Sequence, residues 1–107
     1  MFSLFSKKSM NEEAGKAFWA WFVEQEEWII DCISKHDAAF VWAIDERLKP
    51  VFPYFNGELE FQLGYNDGAG EFFFFHFGKK DLIRDGKMLG EMMPAELAKK
   101  WQFILER

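Results

Sequence analysis

From Ala14 onward the apolar residues recur with a helical period. On a wheel of about 100° per residue, Ala14, Phe18, Trp21, Ile29 and Cys32 form one stripe, flanked by Phe22, Trp28 and Ile33. Gln25 falls on the same stripe and needs a hydrogen-bond partner there. Ser9-Met10-Asn11-Glu12 has the spacing of a capping box, which predicts a helix over residues 10–34. A second apolar row, Trp19, Val23 and Ile30, lies opposite the first, with Glu26 among its members. Two apolar faces on one helix must both be covered, either by the second helix of the same domain or by another chain.

The pattern predicts a second helix from an Asp37 cap to Lys49, with Phe40, Val41, Ile44 and Leu48 inward and Trp42 pointing away. Pro50 and Pro53 end it, because each lacks an amide donor and restricts the residue before it. Residues 58–65 alternate strictly: Leu59, Phe61, Leu63 and Tyr65 on one side, Glu58, Glu60, Gln62 and Gly64 on the other. That is a half-buried strand. Asn66-Asp67-Gly68-Ala69-Gly70 is turn chemistry, so a hairpin follows, returning through residues 71–77. In that return strand both faces are apolar, which suits the middle of a sheet or a strand with its second face covered. An uncovered second face there is an aggregation hazard.

Asp81 caps a predicted third helix running to Met93, with Leu82, Gly86, Gly90 and Met93 on one face and Leu89 beside them. Two interior glycines each cost about 1 kcal/mol against alanine, a cost that close approach of the helix to a sheet would explain. The last segment fits two patterns. Leu97, Ala98, Trp101, Ile104 and Leu105 suit a helix opened by Pro94, while Trp101, Phe103 and Leu105 against Gln102 and Glu106 suit a strand. Periodicity alone favours the helix. The order of elements makes an α+β domain: two N-terminal helices, a β-hairpin, a third helix and a final strand. They form a short, mostly antiparallel sheet covered by helices.

Several features together resemble a family of small uncharacterised bacterial α+β proteins. They are the Phe-rich, Lys-tipped start at Met1 to Lys8, the Phe18-Trp19-Ala20-Trp21-Phe22 cluster, the hairpin, and the closing Pro94…Leu97…Trp101-Gln102-Phe103-Ile104 pattern. The resemblance covers most of the chain and implies that residues 101–106 form a third strand after a short helical turn at 94–99. It implies no activity and no site.

Composition narrows the function classes. The chain has 107 residues, one ordinary domain over 1–107, with 1–9 expected as a loosely ordered N-terminal segment. Half of its residues are apolar and 20% aromatic, including 14 Phe and 5 Trp, more aromatic surface than one small core absorbs. Exposed clustered aromatics mark contact surfaces. The net charge of −5 is spread over both halves, and no basic block stands ready for phosphates, so no nucleic-acid partner is expected. A lone cysteine, Cys32, points to a reducing, cytoplasmic setting. No signal-peptide pattern or membrane-length apolar run is present, and no membrane partner is expected.

Candidate chemistry is sparse. His36 and His76 lie far apart in sequence, and neither stands in a cluster of His and Cys large enough to hold a metal. Cys32 lies on the inward stripe, where a packed thiol is expected. Glu24, Glu26, Glu27 and Asp31 scatter around a helix and do not converge as acid–base chemistry requires. Gly64 to Gly70 has neither the lysine nor the helix start of a phosphate loop. Phe72, Phe74 and Phe77 faintly echo the base-stacking strand of RNA-binding sheets, but Glu71 occupies ground that is basic there. No catalytic, cofactor or metal residue is assigned. The expected function is a non-catalytic protein-interaction module, self-associating or neutralising a protein partner as toxin-immunity proteins do, with Trp19, Val23, Ile30 and Trp42 as the contact residues. The alternative is a small-molecule-binding domain or enzyme with a Phe-lined pocket between the aromatic strand and the glycine-bearing helix.

Overall fold

A computed structural model describes residues 9–107. The expected N-terminal segment lies outside the described residues except for Ser9. Helix α1, Glu12–Lys35, is capped by Asn11, whose side chain accepts from the Ala14 amide at 3.0 Å. The cap therefore falls on Asn11 and not Ser9. Both are good cap formers, and the Asn11 site places Glu12 and Glu13 in the first turn, where the helix dipole favours them. The helix ends at His36, held in the left-handed region at φ 57°. The expected Asp37 cap is not formed: Asp37 accepts from the Ala39 amide at 2.9 Å in an Asx turn, one residue ahead of Ala38, the N-cap of α2, Ala39–Leu48. A 3-10 turn, Lys49–Val51, carries Pro50 and closes the helical pair.

Strands β1 (Glu60–Asn66) and β2 (Ala69–Phe75) form the expected antiparallel hairpin, turning on Asp67 and Gly68 at φ 52° and 78°. Helix α3 is Lys80–Glu91. Asp81 is not its cap; it sits in the first turn and pairs with Arg84 at 3.3 Å. A single turn, α4 (Ala95–Ala98), precedes β3, Trp101–Glu106, so the closing segment is a strand. The sheet order is β1-β2-β3, with β3 parallel to β2, which makes the sheet mixed: one antiparallel pairing and one parallel.

The core lies on one side of this sheet and is shared with the helices. Phe18, Trp19, Phe22 and Ile29 of α1, Ile44 and Leu48 of α2, and Leu82 and Leu89 of α3 join Phe72, Phe74 and Trp101 in one core. Helix α3 lies directly on the strands: a Cβ on Gly86 would come within 2.8 Å of Leu105 Cδ2, and one on Gly90 within 2.8 Å of Phe103 Cδ2. The two glycines are thus the close approach that their position predicts. Gly70 is tighter still, because the Trp101 indole of the neighbouring strand occupies the place of its missing side chain, 2.4 Å from an ideal Cβ.

Candidate interaction surface

The structure does not bring the four expected contact residues together. Trp19 is only 1% exposed. Its indole Nε1 donates to the Leu89 carbonyl at 2.8 Å, and its ring lies 4.9 Å from Phe18, 5.6 Å from Phe22 and 5.8 Å from Phe103. The second face of α1 is therefore covered from within the domain at this point, and Trp19 is a core residue. Ile30 is half-buried and packs against the same core. Val23 is 46% exposed beside Pro94, Leu97 and Lys100, toward the β3 edge of the sheet. Trp42 is 82% exposed, beside Glu58 to Phe61 at the β1 edge. Val23 and Trp42 thus belong to opposite sides of the molecule.

Trp42 points outward because α2 has only ten residues and buries only Ile44 and Leu48 fully. Val41, expected inward, is half-exposed instead and forms a lip shared by two recesses. One recess, about 240 Å³, contains Trp42, Asp45 and Leu59. The other is a shallow, mainly apolar cleft of about 420 Å³ between the α1–α2 junction and β1, lined by Ile33, Ala38, Phe40, Val41 and Leu63, with His36 and Asp37 at the junction. Sequence reasoning missed this cleft because its walls come from three separate elements. The one available signal was His36 at the end of α1, where the chain turns from one wall to the next.

The polar groups within the fold are structural ties. Asp85, 1% exposed, accepts from Arg84 Nε at 2.8 Å, Arg84 Nη2 at 2.9 Å and the Tyr54 hydroxyl at 2.7 Å. Burial alone would raise the Asp85 pKa, but Arg84 and Tyr54 outweigh it and hold the carboxyl below its usual range. Burial and the same carboxylate push the Tyr54 phenol well up. Glu26 accepts from Trp101 Nε1 at 3.0 Å and Lys100 Nζ at 2.9 Å, and these partners overcome desolvation to lower its pKa. Acids driven down and a phenol driven up are locked in their resting protonation states, the opposite of groups poised to move protons. Burial, aided by Asp37, raises the Cys32 thiol, which makes it a poor nucleophile. His76 Nδ1 accepts from the Gly78 amide at 2.9 Å, tying the end of β2 to the following turn.

The Phe-lined pocket of the alternative reading has no room to form between α3 and the strands, since even a methyl group on Gly86 or Gly90 meets Leu105 or Phe103. Among the described residues, no cluster of three or more His, Cys, Asp or Glu is placed to hold a metal ion. No helix among them is long and apolar enough to cross a membrane. No family model, curated protein or solved structure matches the chain.

Proposed function

We propose that the protein is a non-catalytic protein-interaction module that self-associates through the α2–β1 side, with Trp42 as the anchor. The observation that carries this reading is an indole left 82% exposed on a helix one residue from an apolar cleft. Tryptophan is the residue type most enriched among interface hot spots. A two-fold interface uses one patch twice, so that patch must offer both a knob and a socket. Here Trp42 is the knob, and the Ile33, Phe40, Val41 and Leu63 cleft beside it is the socket. Trp42 of each copy enters the cleft of the other. The expected contact set then reduces to Trp42 among the original four residues, with Val41 and Phe40 added.

Light scattering on the wild type and on Trp42→Glu tests it. The wild type should show a concentration-dependent dimer and the variant a monomer, with thermal melts of the monomeric states alike because Trp42 contributes nothing to the core. A wild type that stays monomeric at millimolar concentration overturns the self-association. An unfolded variant would mean that Trp42 is packed within its own chain.

A further inference from the structure

The face of the sheet turned away from the helices carries a second apolar surface, distinct from Trp42, with Glu60 on the border of both. Along β2 the side chains alternate, so that Phe72 and Phe74 enter the core and Phe73 and Phe75 face the other way. Phe73 stands opposite Gln62 on β1 and Ile104 on β3, and Phe75 opposite Glu60 and Glu106. One step back, Glu71 stands between Gly64 and Gln102. Phe73, Phe75 and Ile104 are half-buried but lie outside the core cluster. None of them is among the residues packed against the helix-bearing core.

Three features specify what would cover this face. The first is its shape. Three strands about 4.8 Å apart make a strip about 10 Å wide, the diameter of one α-helix. The second is topology. Parallel strand pairs are normally covered on both faces, and among the described residues the β2–β3 pair has helices on one only. The third is charge. Glu60, Glu71 and Glu106 surround the apolar strip, and none of the three strands contains a lysine or arginine. Stacking two copies face to face would press these carboxylates against their own counterparts, which disfavours a second copy as the occupant.

We propose that this outer face is a docking site for a basic amphipathic helix of another protein. Its apolar side rests on Phe73, Phe75 and Ile104, and its flanking lysines or arginines pair with Glu60, Glu71 and Glu106. Glu60 and Glu106 lie across the strip from one another, about 10 Å apart, so cations on the two flanks of a helix laid along the strands can reach one carboxylate each.

The probe is a synthetic helical peptide of leucine and lysine, leucines on one face and lysines flanking them, titrated by fluorescence anisotropy into the full chain. The same composition scrambled to destroy amphipathicity is the control. The amphipathic peptide should bind at least tenfold more tightly than the scrambled one. Glu60→Lys/Glu106→Lys should weaken it at least tenfold, and Glu24→Lys/Glu91→Lys, an equal charge change on exposed helix positions, by less than twofold. Equal weakening by both double variants, or no preference for the amphipathic peptide, overturns the site. The full chain also contains Phe2, Leu4, Lys7 and Lys8, a segment of similar chemistry. Tenfold tighter peptide binding by Lys7→Glu/Lys8→Glu would give the face to the chain's own terminus and overturn an external partner. A lower mass for Glu71→Lys/Glu106→Lys, which leaves the Trp42 recess untouched, than for the wild type in light scattering would give it to a second copy, with the same consequence.

Discussion

Trp19→Phe separates a core tryptophan from an interface tryptophan. The substitution keeps an aromatic ring in the cluster of Phe18, Phe22, Phe72 and Phe103 but deletes the pyrrole portion of the indole, roughly three heavy atoms. At about 0.8 kcal/mol per buried methylene equivalent, that loss is about 2 kcal/mol. The Nε1 bond to the Leu89 carbonyl is lost as well. Leu89 still accepts from the Met92 amide at 3.1 Å, so the carbonyl is weakened and not orphaned, and the share is about 1 kcal/mol. The total, about 3 kcal/mol, is a large fraction of the 5–15 kcal/mol that holds a typical domain together. Urea unfolding followed by circular dichroism reads it directly: the midpoint should fall with the slope unchanged. The native mass in solution should not change, because Trp19 offers no surface. A stability change under about 0.5 kcal/mol, accompanied by a change in association, would refute the placement of Trp19 in the core.

Three further outcomes follow from the geometry. Gly70→Ala should destabilise by about 1–3 kcal/mol, because its methyl lands on the rigid Trp101 indole; Gly86→Leu should cost at least as much, since it must displace Leu105 and Phe74, and a stabilised melt for either would refute the close packing. Cys32 should react slowly with a thiol reagent in the native protein and rapidly in urea, whereas fast native labelling would put that face of α1 in solvent. Asp85→Asn should be destabilising at pH 7, measured by urea unfolding. The folded carboxyl titrates below its unfolded value of about 3.9, so its contribution is complete above that pH and is lost as pH falls through the folded pKa. The gap between wild type and Asp85→Asn should therefore narrow below about pH 4, and a gap constant down to pH 2 would refute the ionised Arg84–Asp85–Tyr54 tie.

The elements that sequence made legible are those whose signals are local. The strict alternation of Leu59 to Tyr65, the Asn66 to Gly70 turn and the paired glycines of α3 each name their own structure. The failures have a common cause, in that each depends on what lies across space. A helical wheel shows that Trp19 opposes the main stripe of α1 but not that the sheet and the end of α3 reach round to cover it. Residues 101–106 are too few to separate a period of 2 from one of 3.6, and the strand is settled only by pairing with β2. Parallel pairing was the better expectation from connection length: β2 and β3 are joined through two helices, the crossover that parallel strands require and a hairpin does not. Among the four contact residues, Trp42 faces outward as its place on α2 predicts, since a ten-residue helix has few turns with which to bury two faces.

The aromatic run of β2 bears most directly on what the molecule is built for. Its inward residues, Phe72 and Phe74, suffice to seat α1 and α3, so core packing explains only half of the run. Phe73 and Phe75 add nothing to that core and leave an apolar strip on a central strand, a liability for any sheet exposed to other strands. Serine or threonine at both positions would remove the liability at little cost in packing. The surroundings instead limit it: Glu60 and Glu106 flank Phe75, and Glu71 stands at the other end of the strip. Such charges repel like-charged sheets without lowering the attraction of the strip for an oppositely charged partner. Apolar residues retained and guarded in this way are expected of a face that is bare when the chain is alone and covered when it is not. Trp42 differs in kind, a single knob whose recess is bordered by Asp45, Glu58 and Glu60, with an apolar cleft beside it. The two surfaces therefore suit two occupants, a second copy at the α2–β1 side and a basic helix on the open sheet, and they adjoin at Glu60, which borders both.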